Sequence, residues 1–589
     1  MSRTTARKHY SNPAKQFVEL PKTSIPRSVF NRSHGHKTAI PVGKLIPFFV
    51  DEVLPGDTFN LKTAMLARLS TPIVPFMDNL YIRTFYFFVP NRLIWEHWEA
   101  MNGDQKSGPT ASTDYLVPQA SISATTSSGA LSLGSIGDYM GLPTGVVNAS
   151  DTLYVNELPL RAYSLIWNEW FRDEDLQDAV NIDNSTGRLY VGDSVISNSN
   201  VGNTRVVYGS APLPIAKFHD YFTSARPWPQ KGPGVEISLG GSAPVAGDLS
   251  ATSLFANWSV ANDNNKLNPR SGTSQIVLQT QNQHIAGDGA SGSWSLLGGS
   301  TGSINNPDTH SQDFDINVNK VGMNGVSGLV ADLSQSTPIS INDLRQAFQI
   351  QKLYERDARG GTRYIEILRS HFGVVSPDAR LQRPEYLGGG KSRINVNPVQ
   401  QTSSTDESSG TPQGNLAAYA VGFDSRHCFT KSFVEHGWII GLVCVQSDLT
   451  YQQGLNRMWS RKARFDYYWP VFAHLGEQAI LNKEIYAQGT AEDDEVFGYQ
   501  ERYAEYRYFP SLITGQLRST SSTPLDVWHL GEKFETLPKL NATFIQDATP
   551  IERVVAVTDE PPIILDAWFA MKCVRPMPVY STPGLVDHF

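Results

Sequence analysis

Residues 45–98 read LIPFFVDEVLPGDTFNLKTAMLARLSTPIVPFMDNLYIRTFYFFVPNRLIWEHW, and this stretch decides the fold. Three segments in it, 45–50, 58–69 and 80–89, are rich in aliphatic and aromatic residues and predict three strands. The third carries four aromatic residues in succession, at 85–88. A strand so apolar would aggregate on an open surface, so we expect it to be covered on both faces inside a packed β structure.

Length and composition favour a single large β-sandwich with long insertions. The 589 residues would suffice for several domains. However, 47 glycines and 36 prolines are scattered along the chain, which is typical of many strands joined by turns. Apolar residues make up 40% of the chain and aromatic residues 11%, enough for a sizeable core.

The charge of the chain is unevenly distributed. The whole chain carries −8, yet residues 1–44 hold nine Lys and Arg residues against Glu19 alone, a net +8. This basic N-terminal arm is predicted to contact nucleic acid by neutralising phosphates. The alternative is an extended arm that lies on a neighbouring subunit. The best candidates for phosphate contact are Arg3, Arg7, Lys8 and Lys15.

His34 and His36 lie in the same arm, but two histidines are too few to predict a metal site. The three cysteines, at 428, 444 and 573, have no metal-ligand spacing and cannot build a disulfide framework. We expect them to be buried thiols in a reducing compartment. No apolar run reaches the roughly 18–20 residues of a membrane span, and no apolar segment follows the basic N-terminus to predict a secretory signal.

Residues 232–337 differ in composition from the rest of the chain. They are rich in Gly, Ser, Asn and Asp and hold three basic against eight acidic residues. About a hundred residues without a predicted helix exceed an ordinary connection, so we expect a functional surface insertion. A disordered linker is the alternative. Three aromatic residues, Phe255, Trp258 and Trp294, favour packed structure instead.

Three helices are predicted. The 3.6-residue apolar period predicts one at 158–175, a Ser340 cap and an apolar face predict another at 341–356, and a short one is predicted at 364–371. In the first, Glu169 and Asp173 could form the carboxylate pair of a glycoside hydrolase. A second tryptophan and carboxylate cluster lies at 95–99. Neither has a recognisable catalytic spacing, and no nucleophile motif is present, so we predict no catalytic residues, no enzyme activity and no cofactor.

Two other patterns are weak. A carbohydrate-binding module would account for the polar insertion and the tryptophans, but not for the basic arm. The glycine run at 388–392 looks like a phosphate loop, but it lacks the spaced leading glycine and the following helix. A final strand pair is predicted at 543–545 and 562–574.

Several motifs resemble the major capsid protein of the Microviridae, and its gokushovirus branch in particular. The first are Pro55-Gly-Asp-Thr-Phe59, Pro72-Ile-Val-Pro-Phe-Met-Asp78 and Phe85-Tyr-Phe-Phe-Val-Pro-Asn-Arg-Leu-Ile-Trp95. Further similar segments are 217–232, 344–364, 376–389, 453–461 and 465–472. The resemblance extends from residue 28 to about 575, and the insertion at 232–337 is its main departure.

The resemblance implies an eight-stranded antiparallel jelly roll with long inserted loops and a few helices. Its parts would be the arm (1–44), the first part of the jelly roll (45–231), an insertion forming a three-fold protrusion (232–337) and the remainder (338–589). Phe255, Trp258 and Trp294 would lie in that protrusion.

The resemblance also implies a T=1 icosahedral shell of sixty copies around a circular single-stranded DNA genome. The shell would be assembled in the cytoplasm of a bacterial host, without membrane insertion. Further partners would be a small basic DNA-binding protein, a minor pilot protein and a host cell-surface receptor. A divalent cation between subunits is compatible with the family, whereas no bound cofactor is expected.

Overall fold

The computed structural model describes residues 26–102, 115–123, 131–145, 152–184, 206–234, 245–247, 329–331, 341–360, 366, 369–371, 382–403 and 413–580. The chain divides into two compact units. The larger combines Met1–Gly234 with Gln349–Phe589, and the smaller is Val235–Phe348. In the smaller unit the structure describes a two-stranded ladder and the start of a long helix.

The strands are, in chain order, β1 Ser28–Asn31, β2 His34–Ile40, β3 Ile46–Val53, β4 Thr58–Leu69, β5 Leu80–Pro90, β6 Gln119–Ser123, β7 Thr152–Asn156, β8 Val245–Gly247, β9 Leu329–Ala331, β10 Glu385–Gln400, β11 Leu416–Ser432, β12 Gly437–Ser447, β13 Glu477–Leu481, β14 Val496–Glu501 and β15 Ile563–Arg575. The helices are α1 Asn91–Ile94, α2 Trp98–Met101, α3 Ile136–Tyr139, α4 Leu158–Ile166, α5 Ile341–Gly360, α6 Asn482–Ile485 and α7 Ala542–Ile545. Strands β3, β4 and β5 confirm the three strands predicted from residues 45–98.

Nine strands of the larger unit form one antiparallel sheet in the order β1-β15-β4-β11-β10-β5-β12-β3, with β2 also paired to β15. The long strand β10 joins the two halves of this sheet. Its residues 385–394 pair with β5, and its residues 395–400 pair with β11. The sheet curls, because β3 at one end of the order faces β15 near the other end. Phe49 and Phe569 bring their ring centres within 4.9 Å across the core.

Strand β5 is covered on both faces, as its sequence predicted. Tyr86 and Phe88 point into the core enclosed by the curled sheet. Phe87 and Val89 point the other way, into a second core that contains α4. These four side chains are at most 3% exposed. The fold is therefore mostly β, with a curled antiparallel sheet and few helices, and the predicted all-β class is confirmed.

Helix α4 closes the second core and confirms the first part of the helix predicted at 158–175, whereas residues 172–175 are not helical. A π-helical turn, Trp167–Phe171, continues it. The hydroxyl of Tyr163 donates to the Leu45 carbonyl oxygen at 2.9 Å and accepts the Leu213 N–H at 2.9 Å. The helix is thus fixed to the first residue of the stretch that decides the fold.

Two local features differ from a simple strand or loop. The strand predicted at 543–545 is wrong: these residues form α7, whose first turn is capped by the Asn541 side chain accepting the Phe544 N–H at 2.9 Å. Asparagine at this position stabilises a helix start, which overrides the strand propensity of Phe and Ile. The run at 388–390 lies within β10, which supports rejecting a phosphate loop. A Cβ on Gly389 would lie 2.0 Å from the Thr84 carbonyl oxygen, so a close strand approach requires glycine there.

The described part of the predicted arm, residues 26–44, contributes to the sheet. Both β1 and β2 pair with β15, so the two ends of the described chain meet in one layer. Arg32 and Asp51 form an ion pair of 2.6 Å that links this layer to β3. All three cysteines are free; Cys444 and Cys573 are buried, as expected, whereas Cys428 is only partly buried. Burial raises the pKa of Cys444 to about 12.

Candidate subunit interface

Two neighbouring segments, residues 457–475 and 502–512, expose an unusual number of aromatic side chains, and we call them the aromatic surface. Trp459 is 72% exposed, Val471 83% and Phe509 69%. The first segment contains three short 3-10 turns rather than a strand or a long helix. The other large apolar side chains that these segments expose are Met458, Phe465, Tyr467, Tyr468, Trp469, Leu475, Tyr506 and Leu512.

Ion pairs hold the backbone beneath the aromatic surface. The buried carboxylate of Glu505 lies 3.4 Å from Arg461 and 3.9 Å from Arg457. Arg457 also pairs with the buried Glu484 at 3.0 Å. Burial raises the pKa of Glu484, and the nearby Arg457 opposes that shift. Because these charges are shared and shielded from water, they position the segment better than an isolated surface pair would.

Arginine side chains lie over the rings of the aromatic surface. The guanidinium of Arg461 is 4.1 Å from the ring centre of Tyr506, and that of Arg464 is 4.6 Å from the ring of Trp469. Tyr468 packs edge-on against Tyr503, with ring centres 5.0 Å apart. These contacts order long side chains before any partner arrives, which lowers the entropic cost of association.

The backbone of the aromatic surface also has a defined conformation before any partner binds. Tyr503 has φ 63°, a left-handed conformation that costs a non-glycine residue about 1–3 kcal/mol and often occurs at functional sites. In the neighbouring segment, the Asp466 carboxylate accepts the N–H groups of Ala463 at 2.7 Å and Lys462 at 2.8 Å. These hydrogen bonds hold the pKa of Asp466 below its usual range. Asp466 therefore keeps the turn closed even at acidic pH values where an ordinary aspartate begins to take up a proton.

The aromatic surface has the composition of a protein–protein interface. Interface cores are enriched in Tyr, Trp, Phe, Met and Arg, and their energetic centres are most often Trp, Tyr and Arg. Apolar groups clustered in this way are rare on proteins that remain monomeric. Several of these side chains are already held by neighbouring rings and arginines, and all of them are exposed to water in the isolated chain. We therefore identify this surface as the candidate subunit interface.

Asp173, one of the two carboxylates that suggested a glycoside hydrolase, accepts backbone hydrogen bonds. A cleft of about 500 Å³ includes Asp173 and Asp175 in its lining. Asp173 accepts the backbone N–H groups of Asp175 at 3.0 Å and Leu176 at 3.1 Å. Asp175 forms ion pairs with Arg226 and, at 3.5 Å, with Lys231. Asp173 therefore holds a backbone turn, and its neighbour Asp175 pairs with cations.

The cluster at 95–99 is likewise structural. Trp95 is fully buried in the second core, and Glu96 lies 3.2 Å from the neighbouring His97. The His97 ring stacks on Tyr115 with ring centres 4.4 Å apart. No group of three or more potential metal ligands occurs among the residues that the structure describes. In the same parts of the chain, no helix has both the length and the apolar character needed to cross a membrane.

The predicted site residues lie outside the part of the chain that the structure describes. Arg3, Arg7, Lys8 and Lys15 lie outside the described residues, as do Phe255, Trp258 and Trp294. Sequence reasoning treated 453–461 and 465–472 only as matches to a family, and so missed the aromatic surface. A usable signal was present at 457–472, where RMWSRKARFDYYWPVF interleaves aromatic residues with arginines and has neither a helical nor a strand period.

Comparison with known proteins gives matches over nearly the whole chain. A family of phage proteins described as capsid protein (F protein) matches residues 19–585. Capsid protein VP1 of Chlamydia phage 1 is 46% identical over 595 residues, covering 97% of both chains. Capsid protein VP1 of Bdellovibrio phage phiMH2K is 45% identical over 582 residues, covering 97% of this chain and 98% of the relative. Capsid protein VP1 of Spiroplasma virus 4 is 36% identical over 604 residues, covering 99% of each.

These relatives are structural proteins, so the prediction that the chain is not an enzyme is confirmed on that ground. A capsid protein is a component of the virion and assembles in many copies, which accounts for an apolar surface left open on the single chain. The resemblance to gokushovirus capsid proteins is confirmed as well. The chain belongs to the capsid protein (F protein) family of the Microviridae-type phages.

Proposed function

We propose that sixty copies of this chain assemble into a T=1 icosahedral shell around a circular single-stranded DNA genome. The curled sheet would be the eight-stranded jelly roll of the shell subunit, with β1 as an added edge strand. The parts at 45–231 and 338–589 would build this jelly roll together. The aromatic surface would be buried against a neighbouring copy.

The observation that carries this proposal is the aromatic surface on a member of a capsid family. Trp459 and Phe509 are largely exposed and lie on segments that arginines and carboxylates hold in place, which suits an obligate contact between copies. Such contacts bury more than about 2,000 Å² and resemble a protein core. A second copy is the natural occupant, because capsid proteins assemble with themselves.

Other parts of the chain would contact the genome inside the shell and the host cell outside it. The basic arm, through Arg3, Arg7, Lys8 and Lys15, would neutralise genome phosphates, together with a small basic DNA-binding protein. A minor pilot protein would be a further partner, and assembly would take place in the host cytoplasm. A divalent cation could stabilise contacts between subunits. The insertion at 232–337 would form a three-fold protrusion that contacts a host receptor.

Imaging the purified particles tests the shell. We expect uniform particles whose reconstruction contains sixty copies in T=1 symmetry. The DNA inside should resist added nuclease and, once released, be degraded by a nuclease specific for single strands. Filaments, a larger triangulation number or a double-stranded genome would contradict the proposal.

Removing the insertion tests its role in attachment. Strands β8 and β9 pair with each other, so Gly247 and Leu329 lie about 5 Å apart and the residues between them, 248–328, can be replaced by a four-residue turn. We expect particles to form in normal yield but adsorption to host cells to fall at least tenfold. Wild-type particles are the control for both measurements. If the shortened chain forms no particles, the insertion is an assembly element and the attachment role is wrong.

A further inference from the structure

One face of the curled sheet is open to solvent. Along β4 and β15 the side chains alternate strictly, with every second residue buried in the core and the residues between them pointing outward. We call the outward side of β2, β15, β4 and β11 the open face. The large apolar side chains that it exposes are Leu66, Tyr419, Phe423, Ile564 and Trp568.

The strand register places these side chains side by side. Leu66 on β4 lies directly opposite Phe423 on β11 and Asp566 on β15. In the next row, Trp568 lies opposite Ala64 and, on the other side, Gly35. The indole of Trp568 lies over Gly35, since a Cβ there would be 3.5 Å from the ring. Trp568 and Phe423 are separated by two strand spacings and one row of residues, roughly 12 Å.

The open face is basic, although the whole chain is acidic. It presents four exposed cations, Lys37, Lys62, Arg68 and Lys572, against one exposed acid, Asp566. His427 lies opposite Lys62 and is the other titratable group in these rows. Within the described residues none of the four cations forms an ion pair. Their charges therefore remain available to an anionic partner.

The charge of the open face and the course of the chain indicate which kind of partner binds this face. The chain's own residues 1–25 carry five basic residues and Glu19, so they share the sign of the open face and would be repelled by it. The described chain begins just before β1, which pairs with β15 at the edge of this same sheet. The basic segment 1–25 is thus joined covalently, through β1, to the edge of this basic sheet, and a long polyanion could neutralise both.

We propose that the open face binds single-stranded nucleic acid, with Trp568, Phe423 and Tyr419 stacking on bases and the four cations neutralising phosphates. Aromatic rings beside Lys and Arg on an open sheet are suited to such binding, because every base has a face to stack. Phe423 and Tyr419 lie about 14 Å apart along β11, so each contacts a separate base. Binding of this kind tolerates any sequence, as a packaged genome requires. The inference rests on the proposed enclosure of single-stranded DNA and assigns a contact site beyond the arm.

Photo-crosslinking of intact particles tests the site directly. Ultraviolet irradiation followed by peptide mass spectrometry should yield DNA adducts on Trp568, Phe423 or Tyr419. Particles of the Trp568→Leu/Phe423→Leu variant keep apolar side chains at both positions and should lose these adducts. Particles that contain single-stranded DNA but give no adduct on β11 or β15 would overturn this inference and leave the proposed function intact. Particles that contain no single-stranded DNA would overturn both.

A salt titration of the full-length unassembled chain gives a second readout. The probe is a fluorescein-labelled 15-nucleotide oligo(dT), followed by anisotropy at several KCl concentrations. Lys62→Gln/Arg68→Gln/Lys572→Gln should reduce the slope of log affinity against log salt by about 2, since each phosphate contact with a single strand contributes roughly 0.7. The matched control, Lys431→Gln/Lys483→Gln/Lys533→Gln, removes the same charge elsewhere and should leave the slope unchanged. Equal slopes for the two variants would overturn the proposal.

If the open face is instead covered by a second copy, Trp568→Leu/Phe423→Leu will fail to form particles while its oligo(dT) affinity stays at the wild-type value.

Discussion

Trp459→Ser/Phe509→Ser is expected to abolish or strongly reduce shell formation while leaving the subunit folded. Both side chains are mostly in water in the single chain, so truncating them removes little of the core. At the centre of an interface, a Trp or Phe commonly contributes 2 kcal/mol or more. A loss of about 2 kcal/mol at one contact weakens association roughly 30-fold. The measurement is particle yield by sedimentation, together with the melting temperature of the soluble chain.

A control separates a specific interface from general surface hydrophobicity. Val434, in the loop between β11 and β12, is 85% exposed and lies outside the aromatic surface. Val434→Ser should leave particle yield unchanged. The candidate interface would be wrong if Trp459→Ser/Phe509→Ser assembled as well as the wild type at the same melting temperature.

Lys217→Met is expected to destabilise the larger unit by about 3–5 kcal/mol at pH 8, because it leaves the buried Glu532 carboxylate without its cation. The Lys217 ammonium lies 2.6 Å and 2.8 Å from the two carboxylate oxygens, with side-chain exposures of 4% and 11%. It also lies 4.6 Å from the ring of Phe544. Urea unfolding measures the loss.

The effect of Lys217→Met should depend on pH. Burial raises the pKa of Glu532, and Lys217 opposes that shift, so the substitution raises it further. Asp547 and Asp220 lie near enough to raise it too. A carboxyl whose pKa is higher in the folded than in the unfolded protein loses stability as pH rises from the ordinary value through the raised one. The destabilisation should therefore be smaller at pH 4.5 than at pH 8.

Two further variants make this result specific. Lys217→Met/Glu532→Leu removes both charges and should recover most of the stability, since a buried pair can be replaced by apolar residues at little cost. Lys533 directly follows Glu532 but pairs with the exposed Glu535. Lys533→Met therefore breaks only that solvent-exposed pair and should not change the melting temperature. An unchanged unfolding midpoint for Lys217→Met at pH 8 would contradict the prediction.

Local sequence predicted the strands and α4 because their signals are local. The aromatic run in β5 requires cover on both faces, and the apolar period at 158–167 fits one helix face. The strand order could not be predicted in this way. The pairing of β15 with β4 joins residues about 500 positions apart, and the sequence of neither strand specifies which strand it pairs with. Family resemblance supplied the expected class of fold in place of that missing information.

The candidate interface was harder to predict, because exposure is a property of the folded chain. Trp459 and Trp95 are both tryptophans in aromatic surroundings, yet one is largely in water and the other is fully buried. The open face could not be predicted either. Phe423 and Trp568 lie on strands, and an alternating pattern does not show which side of a strand faces the core. Only the curl of the sheet decides that.

The position of β15 has a consequence for synthesis. This strand comes from residues 563–575, yet it lies between β4 and the two strands nearest the start of the described chain. At about 5–20 residues per second, a ribosome needs roughly half a minute to two minutes between releasing β4 and releasing β15. During that time one edge of β4 has no partner. A chain terminated before residue 563 cannot complete its sheet, so translation to the end becomes a condition for entering the shell.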